Sequence, residues 1–160
     1  MDSMYQAEQQ QHHPQHLHAV RGIEGLRVSV ANAESAAADA GLSSRELTLI
    51  VHGMLRLAGV PVIHNDDADD NVPTLHTTVT VKKVVDLFSV SLMLELWDRV
   101  WLTRQTHSHA LHAATWRNSA ELVSNRHELR DNMRLELGAL LTSFLNDYMA
   151  ANRAPNRASA

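Results

Sequence analysis

The apolar positions of this chain fall into two rhythms, and the clearest runs from Leu87 to Trp97. Phe88, Val90, Leu92, Leu94 and Leu96 share one parity, while Ser89, Ser91, Met93 and Glu95 take the other. Alternation at period two over this length predicts a half-buried β-strand that serves as the spine of a sheet. The run extends toward Leu102, with a bulge expected near Asp98. Before it, Thr74 to Val85 alternates in the same way, with Leu75, Thr77, Val79 and Val81 opposite His76, Thr78, Thr80 and Lys82. Lys83 to Asp86 is short enough for a hairpin, although the Asn-Gly signal of the favoured two-residue turn is missing. Ile23 to Val30 predicts a first strand, Val60 to Ile63 a short apolar segment entering the sheet, and Leu111 to Arg117 a last strand antiparallel to the spine.

The second rhythm is helical. Ser43 and Glu46 stand as N-cap and N3 of a capping box, and Leu42 and Leu47 as its hydrophobic staple. Leu47, Ile50, Val51, Met54, Leu55 and Ala58 continue as a stripe at helical spacing. Gly59 supplies a left-handed stop and Pro61 prevents resumption, which predicts a helix over 44–58. A longer stripe of Leu129, Met133, Leu137, Leu140, Leu141, Phe144, Leu145 and Tyr148 predicts a closing helix from about His127 to Ala150, capped by Asn125 with Glu128 at N3. The order β–α–(β)–β–β–β–α predicts an α+β two-layer sandwich, a mainly antiparallel sheet with two amphipathic helices.

The flanks read differently. Residues 1–19 are rich in Gln and His with little apolar surface, which predicts a flexible arm. Residues 20–152 form the single α+β domain and 153–160 a disordered tail. With 160 residues and 44% hydrophobic content, the chain can bury a core without staples. Aromatics make up only 4%, so that core is built mostly from Leu, Val, Ala and Met.

A formal charge of −4 gives no electrostatic case for a nucleic-acid partner. The absence of cysteine removes disulfides, thiolate metal sites and cysteine nucleophiles together. No apolar run approaches the roughly 20 residues of a membrane span, and no basic and apolar leader of a secretory signal is readable at the N-terminus.

Candidate chemistry is sparse. His12, His13, His16 and His18 could bind zinc, nickel or copper through neutral imidazole, though an arm offers no preorganised geometry. His107, His109 and His112 form H-x-H-x-x-H; the first two would share a strand face, but no carboxylate lies close by in sequence to complete a site. The alternative for both groups is solvated histidine. Asp66, Asp67, Asp69 and Asp70 lack the glycine and distal Glu of a calcium loop and read as a solvated acidic loop. Trp97 and Trp101 lie on one strand face with Arg99 between them. Left uncovered, this trio makes an amphipathic patch for a partner, with Arg99 available for cation–π contact; covered, it is core under the closing helix. No G-x-S-x-G, glycine-rich phosphate loop or H-E-x-x-H is present, so no cofactor is expected.

Four stretches carry a resemblance: LRLAGVPV (55–62), the paired strands around Val79 and Leu92, AATW (113–116) and FLNDYMAAN (144–152). In this order they resemble small, uncharacterised bacterial proteins, mostly exported, with AGIPV-, ATTW- and F-x-N-D-Y-L-x-x-N-like motifs. The element order is also similar to small modules of envelope lipoproteins such as the TolB amino-terminal domain. The resemblance implies a periplasmic or envelope location and no known activity. The expected function is therefore a non-catalytic interaction module, an accessory subunit of a larger bacterial assembly with a protein partner or self-association. A histidine-mediated divalent-metal-binding protein is the alternative, and a hydrolase with a spatially assembled site comes third.

Overall fold

The computed structural model describes residues 14–33, 42–64, 71–102 and 110–153. Its elements are α1 (Pro14–Ala19), β1 (Arg27–Ala33), α2 (Ser44–Leu57), β2 (Thr74–Val84), β3 (Leu87–Val100), β4 (Leu111–Asn125) and α3 (Leu129–Asn152). The strands form one sheet in the order β1-β2-β3-β4. β1 runs parallel to β2, and the β2–β3 and β3–β4 pairs are antiparallel. This is the α+β two-layer arrangement that the two rhythms predict.

The parity of β3 decides which face is covered. Val90, Leu92, Leu94 and Leu96 are buried together with Leu75, Val79 and Val81 of β2, and the apolar stripe of α3 closes over them. Each fully buried Leu or Val contributes about 1.5–3 kcal/mol by leaving water, so this one face holds most of the apolar stabilisation. Thr77 shares it, and its buried hydroxyl has no hydrogen-bond partner among the described residues.

α2 begins as its cap predicts: Ser43 Oγ accepts from the Glu46 amide at 3.2 Å. The reciprocal half of the capping box does not form. The Glu46 carboxylate turns instead to Arg130, at 2.5 Å, and to Arg134, tying α2 to α3. Hydrogen bonding to Arg130 is the largest influence; desolvation opposes it, but hydrogen bonding to Arg134 and the charges of both guanidiniums add to the first and hold the Glu46 carboxyl below its usual range. The helix ends in a Schellman motif, with Gly59 at φ +75°. The Gly59 amide donates to Arg56 O and the Val60 amide to Leu55 O. The segment after it joins the sheet by a single parallel bridge, Leu26↔Val62. Gly25 permits this approach: a Cβ there would lie 2.7 Å from Ile63 Cδ1.

Three elements differ from expectation. The arm expected over residues 1–19 is helical in its described part, because α1 places Ala19 and then Val20 against the core beside α3. The last strand runs on to Asn125, well past Arg117, since β3 offers a full-length partner from Leu87 onward. α3 begins at Leu129, and Asn125 acts one turn earlier than a direct cap: its Oδ1 accepts from the His127 and Glu128 amides at 3.0 Å while its Nδ2 donates to Glu128 Oε2. The hairpin turn falls at Val85–Asp86, with Val85 at φ 58°.

The end of α3 holds the start of the domain. Asn152 donates from Nδ2 to Val20 O at 2.9 Å and accepts the Gly22 amide on Oδ1 at 2.8 Å. Tyr148 donates its hydroxyl to Ile23 O at 3.0 Å.

Candidate functional site

All described helix packing falls on one side of the sheet, so the polar parity of the strands makes the other face. Register sets its neighbours: Thr74 lies opposite Trp97, His76 opposite Glu95, and Glu95 opposite Arg117. Glu95 is the unusual member, being only 4% exposed although no described helix covers it. A buried carboxylate needs partners for its oxygens, and Glu95 has them on both. Arg117 Nε donates to Oε1 at 2.7 Å, with Nη2 of the same guanidinium at 2.5 Å. Trp97 Nε1 donates to Oε2 at 3.3 Å. Ser29, Thr74, His76, Thr78, Glu95 and Trp97 line a shallow depression of about 310 Å³ here.

The tryptophan trio continues from this depression along β3. A register shift between Leu96 and Trp97 leaves Thr115 as the extra residue of β4, its hydroxyl donating to Leu96 O at 3.3 Å. Such bulges increase twist and re-aim side chains at the end of a strand. Beyond it Trp97 is 38% and Trp101 59% exposed. The Arg99 guanidinium lies 5.4 Å from the Trp101 ring centroid and donates from Nη1 to Asn71 Oδ1 at 2.6 Å. The trio thus stands on the uncovered side, and neither indole is packed beneath α3. The third indole, Trp116, is core.

The histidines divide. His12, His13, His107 and His109 lie outside the described residues, as do the acids at 66, 67, 69 and 70. His16 and His18 are on α1, where His16 Nδ1 is 3.7 Å from Asp147 Oδ2. His112 is exposed on β4, opposite Arg99. Among the described residues no three His, Cys, Asp or Glu side chains gather as a metal site would require. His52 and His64 approach each other, ring centroids 6.5 Å apart. Burial, then the charges of Arg56 and His64, push the His52 imidazole below its ordinary value.

Sequence reasoning missed Glu95, His76 and Arg117 as a group. Each sits at an ordinary polar-parity position, and only the register of three strands brings them side by side. No described helix is long and apolar enough to cross a membrane.

No protein-family model matches the chain, and no curated protein does. Among solved structures it is similar to a PelC dodecamer from Paraburkholderia phytofirmans at TM-score 0.48 and 18% identity, covering 81% of this chain and 90% of that one. A second PelC dodecamer structure from that organism matches at TM-score 0.37 and 16% identity, covering 82% and 89%. A minor lipoprotein from Acinetobacter baumannii matches at TM-score 0.42 and 12% identity, covering 81% and 93%.

Proposed function

We propose that the chain is a non-catalytic interaction module, an accessory subunit of a larger assembly in the bacterial envelope. A protein partner docks on the uncovered end of β3, where Trp97, Arg99 and Trp101 supply its surface. The observation that carries this reading is the exposure of two indoles, Trp97 on β3 and Trp101 just past its end, on the side of the sheet that bears no described helix. Large aromatic side chains held on a rigid strand lose little entropy on binding, and Trp and Arg dominate the energetics of protein interfaces. Arg99 stacks beside Trp101 and is steadied by Asn71, so the cation is preoriented toward an acceptor on the partner's rim. The resemblance to small exported proteins supports the compartment.

The test is native mass spectrometry of the full chain isolated gently from its own cells, alongside a Trp97→Ala/Trp101→Ala variant. A defined complex that the double variant fails to retain supports the reading. A bare monomer, or a complex retained equally by the variant, overturns it.

A further inference from the structure

β4 is an outer strand of the sheet. From Arg117 to Asn125 it pairs with β3 without a register shift and contains no proline, glycine or lysine. Natural outer strands are usually blunted by such features, because their unpaired N–H and C=O groups template pairing with another chain. This stretch lacks them, and its one capped edge amide, that of Ser119, is held only by the Asn118 side chain, which must yield that bond for a second strand to pair there. The direction of its peptide groups follows from Ser119, whose amide donates at 2.9 Å to the side chain of its own neighbour, Asn118 Oδ1, and is therefore turned away from the ladder with β3. Residues of an antiparallel strand alternate between those that exchange hydrogen bonds with one neighbour and those that do not. Arg117, Ser119, Glu121 and Val123 accordingly present their backbone groups outward.

We propose that this edge pairs antiparallel with the same edge of a second copy, about a twofold axis through Ser119. Charge selects the register. Centring the pair on Arg117 sets Arg against Arg, and centring it on Glu121 sets Glu against Glu. A centre at Asn118 or Ala120 leaves both charges opposite neutral residues. A centre at Ser119 alone places Arg117 opposite Glu121, and the twofold does so twice. Opposite charges directly across a strand pair stabilise it and like charges oppose it. The Arg117 side chain is 62% exposed even while bonded to Glu95, and a guanidinium has five donors, enough to serve both carboxylates. On the helix-covered side the same register sets Leu122 against the edge at Trp116. The strand complements itself, which is why the occupant is a second copy. The two sheets become one, and the uncovered faces of both copies become continuous.

The chain contains no cysteine, so single introduced cysteines report the register. Facing Cα atoms of a hydrogen-bonded antiparallel pair lie about 5.5 Å apart, within disulfide reach. Under mild oxidation Ser119→Cys should couple to its own copy and yield a covalent dimer, while Val123→Cys, displaced from the axis, should not. Sedimentation of the full chain over a wide concentration range should show a monomer–dimer equilibrium. Glu121→Arg, at an exposed position, should raise its dissociation constant at least about tenfold, the factor that corresponds to about 1.4 kcal/mol, with circular dichroism unchanged. A monomer at every concentration, or equal coupling at positions 119 and 123, overturns the proposal. The edge and the tryptophan face are different surfaces: a monomer that still holds its partner through Trp97 and Trp101 would sink this inference and leave the proposed function standing.

Discussion

Trp116 donates its indole N–H to Asp147 at 2.9 Å, inside the core, across 31 residues of sequence. The bond joins β4 to α3 at the point where Phe144 meets the same indole edge-on, ring centroids 5.2 Å apart. It explains how an aspartate comes to be 4% exposed on the apolar stripe of a helix. Removing one partner strands the other, and an unsatisfied buried donor costs about 1–3 kcal/mol. Asp147→Ala should therefore lower the urea-unfolding free energy by that amount, and Asp147→Asn, which keeps an acceptor, by less. Equal losses in the two variants would mean that the hydrogen bond is not what matters.

The hairpin between β2 and β3 carries a removable strain. Val85 is β-branched, 83% exposed, and sits at φ 58°, where a Cβ crowds the following carbonyl. Val85→Gly loses almost no burial and relieves the clash, so thermal melting should show a gain of about 1 kcal/mol. A loss would show that the valine conformation is supported by contacts beyond the turn.

His52 gives the fold an acid sensitivity with a definite sign. Its imidazole is held below the ordinary value, chiefly by burial, so the folded protein keeps it neutral while the unfolded chain protonates near 6.5. As pH falls through that ordinary value the unfolded state takes up the proton first, and stability is lost until the folded-state value is passed. Wild type should lose more melting temperature than His52→Gln between neutral pH and about pH 5. Parallel curves would refute the assignment.

Fluorescence quenching separates the three tryptophans. Trp97 and Trp101 are exposed and Trp116 is 1% exposed. A Trp97→Phe/Trp101→Phe variant should show blue-shifted emission that iodide scarcely quenches, and a Trp116→Phe variant the opposite. Strong quenching of the first would place Trp116 in contact with solvent.

The particular residues show why some of this was readable beforehand. The strand parities, the Ser43 cap and the Gly59 stop are local, since their physics is complete within a few residues. β4 beyond Arg117 was hidden because Asn118, Ser119, Glu121 and Ser124 interrupt the apolar rhythm. One of its faces is open to water, and Asn118 and Ser124 bond to Ser143 and Asn132 of α3. Glu95, His76 and Arg117 are scattered in sequence and meet only through register. The FLNDYMAAN stretch was recognisable without being interpretable. In the structure Asp147 holds Trp116 of the AATW stretch, while Tyr148 and Asn152 hold the backbone at Ile23, Val20 and Gly22. Those residues serve the architecture.

The Asn152 contact has a consequence for how the chain is made. Val20 leaves the ribosome 132 residues ahead of the side chain that holds it. At roughly 5–20 residues per second, that is a wait on the order of ten seconds. During this interval the sheet can assemble only with its apolar face bare, because α3 is synthesised after all four strands. Fitness to be translated in a crowded cytosol thus depends on what shields that face until the final turn of α3 emerges, and a nascent chain arrested before Tyr148 should be held by chaperones.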